Sequence, residues 1–237
     1  MLLGGLQKMT LIDYPGKIAA TVFTAGCNFR CPFCHNPELV HGSQLIVHSD
    51  KQNKKLEREF FEFLKTRQGK LDGVCVTGGE PTLQPDLVEF ISKIKKLGFA
   101  VKLDSNGTRP DVLRELFEKK LVDYVAMDIK SNLANYEKVC ETKVDLERIK
   151  DSVELIRNSG IDYEFRTTVV PGLHKESDFE EIADWLDGAK KYTIQKYHDY
   201  GKILRSELRE EIDGQEIDLE KIEKIFQNRI EEVKVVR

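Results

Sequence analysis

Short β-rich segments alternate with amphipathic segments along most of the chain. The β-rich segments are nearly continuous in apolar character, as strands buried on both faces of a sheet should be. They lie at residues 18–23, 73–78, 100–105, 124–129, 164–170 and 191–197. Between them, apolar residues recur at the three- and four-residue spacing that predicts helices. The helical pattern covers residues 51–67, 86–97, 112–117, 146–156, 179–186 and 222–230.

This alternation predicts an α/β fold with a mostly parallel sheet and right-handed crossovers. Six βα units fall short of the eight that close a full barrel, so we expect a partial (β/α)6, TIM-like barrel. No break in composition marks a boundary, so residues 1–237 are expected to form a single domain with a C-terminal helical extension at about 216–237. Ligands bind at the carboxyl ends of the strands in such folds.

Composition and charge narrow the classes of function. The chain has 37 Lys and Arg against 41 Asp and Glu, and this weak acidic excess does not favour nucleic acid or a membrane surface as a partner. No apolar run approaches the length of about 20 residues that spans a bilayer. Residues 1–16 lack the features of a secretory signal, so we expect a cytoplasmic protein.

Three of the five cysteines lie close together after the first predicted strand, in a loop at 24–36. Cys27, Cys31 and Cys34 have the spacing C-x3-C-x2-C. Three thiolates on one loop are a typical donor set for an iron–sulfur cluster, zinc or copper(I). A structural zinc site needs a fourth ligand, which His35 is able to supply. The spacing favours a cluster with one open iron, and leaves zinc or inert thiols as alternatives.

The cysteine motif resembles the signature of the radical S-adenosylmethionine (SAM) superfamily, C-x3-C-x-aromatic-C, with Phe33 as the aromatic residue. The resemblance implies one 4Fe–4S cluster bound by Cys27, Cys31 and Cys34, and SAM chelated to its open iron next to Phe33. In this family, one-electron reduction cleaves SAM to methionine and a 5′-deoxyadenosyl radical, and the protein positions and shields that chemistry.

The second predicted strand is followed by Thr-Gly-Gly-Glu-Pro at 77–81. Two glycines allow a close approach of backbone to a ligand, and Glu80 is able to accept a charge-assisted hydrogen bond from an ammonium group. The same residues are also typical of a tight turn with a solvated glutamate. Their position resembles the family's motif for the SAM amino group, which implies that Gly78, Gly79 and Glu80 bind SAM.

The third and fourth predicted strands both end in carboxylates. Asp104 precedes Ser105 in one, and Asp128 lies two residues before Lys130 in the other. Alternation places Asp128 and Lys130 on the same side, so a structural salt bridge is an alternative to a binding role. Both segments resemble activating enzymes of glycyl-radical enzymes. That resemblance implies a monovalent cation near Asp104, Ser105 and Asp128, and SAM near Asp104 and Lys130.

The fifth and sixth predicted strands bring Arg166 and His198. An arginine in an apolar strand is costly unless paired, and a lone histidine is more often structural or solvated. Arg166 resembles the family's strand arginine close to SAM. The segment 197–202 resembles a family segment whose histidine borders the adenosyl group. Cys75 is interpreted as a small core residue and Cys140 as incidental.

Cys34-His35-Asn36 resembles glycyl-radical activating enzymes, and residues 10–23 resemble the activating protein of the anaerobic ribonucleoside-triphosphate reductase. The resemblance implies that hydrogen is removed from a glycine Cα of this partner, with flavodoxin or ferredoxin as electron donor. The chain length is nearer to the pyruvate formate-lyase activating enzyme, so a partner of that type is an alternative. The polar segments 41–54 and 199–215 are candidate contacts with the partner.

Two other classes of function stay open. One is a radical SAM enzyme acting on a small molecule, such as a 7-carboxy-7-deazaguanine synthase. The other is a non-catalytic zinc-binding module, which explains the cysteines but leaves the Gly-Gly-Glu-Pro motif and the polar residues at the strand ends unconnected.

Overall fold

The computed structural model describes residues 1–40 and 50–237. Their strands are β1 (Leu3–Thr10), β2 (Ala19–Thr24), β3 (Gly73–Gly78), β4 (Ala100–Ser105), β5 (Tyr124–Asp128), β6 (Asp162–Val169), β7 (Lys191–Lys196) and β8 (Glu232–Val236). The helices are α1 (Pro37–Val40), α2 (Asp50–Lys65), α3 (Leu87–Lys96), α4 (Pro110–Glu118), α5 (Tyr136–Cys140), α6 (Leu146–Arg157), α7 (Glu176–Trp185), α8 (Leu208–Ile212) and α9 (Leu219–Phe226), with a 3₁₀ turn at Pro81–Leu83.

The chain divides into two compact units, each made of separate segments. The first unit contains Met1–Asn28, Glu38–Ala126 and Arg148–Asp162, and the second contains Phe29–Pro37, Met127–Glu147 and Tyr163–Arg237. The single domain expected from the sequence stays a prediction.

In the first unit, the strands neighbour one another in chain order. Strand β1 pairs antiparallel with β2, and β2, β3 and β4 pair parallel in register, with Ala20 opposite Val74 and Val76 opposite Leu103. These four side chains are fully buried. The rings of Phe60 in α2 and Phe90 in α3 stack at 5.4 Å. The apolar stripes that predict α2 and α3 therefore supply the helical layer of this unit.

In the second unit, β6, β7 and β8 pair parallel in chain order. Tyr192 of β7 stacks on Phe226 of α9 with ring centroids 4.2 Å apart. The helical extension expected at about 216–237 is wrong in its last part, because α9 ends at Phe226 and residues 232–236 form β8. The sequence Glu-Val-Lys-Val-Val alternates with the period of a half-exposed strand, so it favours β structure over a continued helix.

The expected α/β fold with a mostly parallel sheet is confirmed, and all six predicted strands form within two residues of their expected limits. The sequence pattern missed β1, whose Leu-Gly-Gly-Leu-Gln-Lys-Met-Thr has little β propensity. Of the predicted polar segment 41–54, residues 50–54 belong to α2 and residues 41–49 lie outside the described residues. The segment 199–215 contains the short helix α8. Across the two described ranges, none of the helices is long and apolar enough to cross a membrane.

Candidate functional site

The two glycines after β3 allow two backbone segments to lie against each other. Gly78 has a φ of +116°, in the region that favours glycine. A Cβ on Gly79 would lie 2.2 Å from the carbonyl oxygen of Gly26, in the segment that leads into the cysteine loop. The amide of Gly79 donates to the carbonyl of Thr24 at 2.8 Å, and the amide of Glu80 donates to Gly26 at 2.8 Å. The Gly-Gly turn is therefore required to hold the start of the cysteine loop.

Glu80 is almost completely buried in the first unit, with 1% of its surface exposed. Its Oε1 atom accepts from the Thr82 amide at 3.1 Å, the Thr82 hydroxyl and the Ser105 hydroxyl at 2.9 Å. Its Oε2 atom accepts from the Asn106 amide at 2.6 Å. Burial raises the pKa of Glu80, although these hydrogen bonds oppose the rise. The solvated glutamate is therefore wrong, and Oε2, which has fewer donors than Oε1, keeps capacity for a further one.

Asp104 lies beside a buried lysine that sequence reasoning missed. Lys102 is 2% exposed and forms an ion pair with Asp104. The Sγ atom of Cys75 lies 3.9 Å from both the Asp104 carboxylate and the Lys102 ammonium group. Because Lys102 and Asp104 are two residues apart in β4, strand alternation was the available signal for this pair. Cys75 thus packs as a small core residue and also contacts charged groups.

In the second unit, Asp128 forms ion pairs with two basic side chains. Its Oδ2 atom accepts from Lys130 Nζ at 2.9 Å, and its Oδ1 atom accepts from Arg166 Nε. Burial opposes ionisation, but Arg166 and Lys130 outweigh it and hold the pKa of Asp128 well below its usual range. Burial likewise opposes the charge of Lys130, yet Asp128 and Cys31 raise the pKa of Lys130. The ion pair that the spacing allowed is present, and the three groups carry one net positive charge.

Cys31 lies near this positive charge in the second unit. Cys31 is 7% exposed. A hydrogen bond from the Cys140 thiol lowers the pKa of Cys31. Burial opposes this shift, and the Lys130 charge adds to it. The amide of Arg30 donates to the carbonyl of Cys140 at 2.9 Å, which fixes the start of this loop against α5. Cys140 is therefore part of the cysteine site. No local signal marked it, because more than a hundred residues separate it from Cys31.

His35 connects the end of the cysteine loop to the segment after β7. Its Nε2 atom donates to the carbonyl of His198 at 2.7 Å. Its ring stacks on Tyr197 at 5.6 Å and meets Tyr200 edge-on at 5.3 Å. Because Nε2 is already used, His35 is poorly suited to be the fourth ligand of a zinc site through that atom. The side chain of His198 itself faces Tyr200 at 6.0 Å.

The chemistry of the cysteine donors fits a soft metal group. Among residues 1–40 and 50–237, no three His, Cys, Asp or Glu side chains are already arranged around one point. Thiolate is nevertheless the form that binds iron, and the pKa of Cys31 is lowered by its hydrogen bond with Cys140. Cys27 and Cys34 are partly exposed, and Phe33 is 5% exposed.

Each unit groups some of the site residues expected from the sequence. The first unit joins Glu80 to Ser105 and Asp104 to Lys102. The second joins Asp128 to Lys130 and Arg166, and holds the backbone of His198 against His35.

Comparison with known proteins assigns the family. The model of the radical SAM superfamily matches residues 21–186, and the chain therefore belongs to that superfamily. The chain is 36% identical over 203 residues to a putative glycyl-radical enzyme activating enzyme of Methanocaldococcus jannaschii, covering 83% of this chain and 80% of that protein. It is thus an enzyme of the glycyl-radical enzyme activating family within the superfamily.

A second curated relative agrees with this assignment, and a solved structure has a similar fold. The pyruvate formate-lyase-activating enzyme of Clostridium pasteurianum is 29% identical, with 83% of this chain and 82% of that protein covered. Coproporphyrinogen III oxidase of Escherichia coli, a radical SAM enzyme, has the same fold with a TM-score of 0.58 and 16% identity, over 91% of this chain and 52% of that one. Family membership implies a 4Fe–4S cluster and SAM, so the non-catalytic zinc module is wrong.

Proposed function

We propose that this chain activates an anaerobic ribonucleoside-triphosphate reductase by forming a glycyl radical in it. Cys27, Cys31 and Cys34 would hold the 4Fe–4S cluster. When bound, the cluster would supply the one-electron reduction that cleaves SAM, and the resulting radical chemistry would be directed to a glycine Cα of the partner.

The observation that carries the proposal is the pairing of two cations with one carboxylate beside Cys31. Lys130 and Arg166 both pair with Asp128 at the end of β5, which holds the Lys130 ammonium group in place. The carboxylate of SAM would accept a charge-assisted hydrogen bond from that ammonium group. After the hydrogen bond with Cys140, the Lys130 charge also lowers the pKa of Cys31. These residues thus bind the methionine end of SAM and stabilise the ligand that anchors the cluster.

The remaining SAM contacts follow from the loops after the other strands. The Oε2 atom of Glu80 has capacity for the SAM amino group, and Gly78 and Gly79 bring their backbone close to the cysteine loop. Phe33 and His198 would border SAM. In support, the backbone of His198 is fixed by His35.

The site would also hold a monovalent cation. Asp104, Ser105 and Asp128 offer the hard oxygen donors that such a cation binds. In the first unit, however, Lys102 forms an ion pair with Asp104, and the Ser105 hydroxyl donates a hydrogen bond to Glu80. We therefore expect SAM binding to rise modestly with potassium. Titrations with SAM in potassium chloride and in choline chloride at equal ionic strength test this. Equal affinities in the two salts would show that no monovalent cation takes part in SAM binding.

The named relatives favour a second partner. Pyruvate formate-lyase-activating enzymes are similar to this chain over more than four-fifths of its length, so a formate-lyase-type enzyme is the alternative partner. The electron donor would be a flavodoxin or a ferredoxin in either case.

Incubation with each purified partner decides between them. The reduced, cluster-loaded protein and SAM are mixed anaerobically with the reductase or with the formate-lyase, and the glycyl-radical doublet is recorded by electron paramagnetic resonance. We expect the doublet with the reductase. A doublet with the formate-lyase alone would show that the formate-lyase type of enzyme is the partner. A small-molecule product formed without any partner would favour a radical SAM enzyme that acts on a small molecule.

A further inference from the structure

A buried histidine in the second unit donates a hydrogen bond to the backbone of Lys130. His174 follows the turn after β6 and is 3% exposed. Its Nδ1 atom lies 3.0 Å from the Val170 amide nitrogen and 3.3 Å from the Val170 carbonyl oxygen. The Nε2 atom lies 2.8 Å from the carbonyl oxygen of Lys130, and because a carbonyl only accepts, Nε2 carries a proton and donates to it. Burial lowers the pKa of His174, which agrees with a neutral ring.

This hydrogen bond acts on the backbone of the charged group described above. The residue before Lys130 is held by β6, since the Ile129 amide donates to the carbonyl of Arg166 at 2.8 Å and the Thr167 hydroxyl donates to the carbonyl of Ile129 at 2.7 Å. His174 holds the next carbonyl along the chain. Together these contacts fix the direction in which the Lys130 side chain leaves the backbone.

The imidazole is itself fixed from the other side. The amide of His174 donates to the carbonyl of Val170 at 3.0 Å, and its ring packs against Phe179 at 5.8 Å. The turn at 170–174 and helix α7 thus place the ring without help from Lys130. A rigid support of this kind is what second-layer residues supply to a binding group.

We infer that His174 is a positioning residue for SAM: its Nε2–H holds the Lys130 carbonyl so that the Lys130 ammonium stays between Asp128 and the ligand carboxylate. The inference rests on the proposed function, in which Lys130 binds SAM. His174 touches neither SAM nor the cluster in this account. A displacement of Lys130 by about 1 Å is enough to weaken an oriented contact substantially.

Two substitutions separate this role from a merely structural one. His174→Gln keeps an N–H donor near the position of Nε2, within reach of Lys130. His174→Asn keeps an acceptor near Nδ1 for the Val170 amide but loses the donor to Lys130. Lys130→Met tests the proposed function itself, and Phe226→Leu, at the stacked pair with Tyr192, controls for a general loss of stability.

The measurement is the dissociation constant of SAM for the anaerobic, cluster-loaded protein with the cluster oxidised, so that no cleavage occurs. We expect His174→Asn to raise the dissociation constant of SAM about tenfold. His174→Gln and Phe226→Leu should change this constant less than about threefold, which is the size of effect expected from lost packing alone. Equal weakening in the Gln and Asn variants, or no change in the Asn variant, would overturn the role of His174. If Lys130→Met binds SAM normally, the proposed function of Lys130 fails instead.

Discussion

The Nε2 atom of His35 donates a hydrogen bond to the backbone carbonyl of His198 across 2.7 Å. His35 directly follows the last cysteine of the cluster motif, and His198 is the second residue after β7. Stacking of His35 on Tyr197 strengthens the same contact. The end of the cysteine loop and the proposed adenosyl-binding segment are therefore held together in the second unit.

Replacement of His35 is expected to separate cluster binding from SAM binding. His35→Ala should keep about four irons per chain, because His35 is not a cluster ligand in this account. It should weaken SAM binding about tenfold, because the segment at His198 loses its anchor. Iron analysis and SAM titration measure both quantities, with His35→Gln as the variant that retains a donor. Loss of iron from the His35→Ala variant would contradict this account and indicate that His35 is a cluster ligand.

Gly79 is expected to tolerate no side chain. In Gly79→Ala the new Cβ would lie 2.2 Å from the Gly26 carbonyl, so the backbone at the start of the cysteine loop must shift. We expect a loss of about 3 kcal/mol in the free energy of unfolding and a fall in cluster content. Gly5→Ala is the matched control, because its Cβ would meet Phe23 at 3.7 Å and should change stability by less than about 0.5 kcal/mol. Equal stability of the two variants would contradict the role of Gly79.

The contribution of Asp128 to the free energy of unfolding should depend on pH. The pKa of Asp128 is lowered in the folded protein, so its contribution is complete above the unfolded value of about 3.9 and is lost as the pH falls towards the folded value. Asp128→Asn should therefore cost about 2 kcal/mol at pH 7, and the difference from the natural chain should shrink below about pH 4.

Urea unfolding across this pH range measures the effect. Asp111→Asn is the control: Asp111 pairs with Arg109 at the surface, where both side chains are more than a third exposed, and should lose less than about 1 kcal/mol. A constant deficit of Asp128→Asn down to pH 3 would show that its charge is not the cause.

Cys140 is expected to tune the cluster. Its thiol donates a hydrogen bond to Cys31, and donors to a ligand sulfur raise the reduction potential of an iron–sulfur cluster. Cys140→Ala should lower the potential, and Cys140→Ser, which keeps a hydroxyl donor, should lower it less. Potentiometric titration followed by electron paramagnetic resonance checks the order, and equal potentials in all three proteins would contradict it.

The sequence predicted those parts of the site that depend on local spacing. The cysteine triplet, the Gly-Gly turn and the alternation of Asp128 with Lys130 are each contained within a few residues, so period and motif reveal them. The pairing of Cys31 with Cys140 and of His174 with Lys130 depends on contacts between distant segments, which no local pattern encodes. Strand β8 was missed for a different reason, because the apolar stripe of α9 extends beyond Phe226, where the helix ends, and favours a longer helix.

The transfer of hydrogen from a glycine of the partner is the central claim, and isotope labelling tests it directly. The reductase is prepared with glycine deuterated at Cα and incubated anaerobically with the reduced protein and SAM. Mass spectrometry of the released 5′-deoxyadenosine should show one deuterium per molecule, and no product should form with Cys31→Ala. Unlabelled 5′-deoxyadenosine together with an unmodified partner would contradict the account.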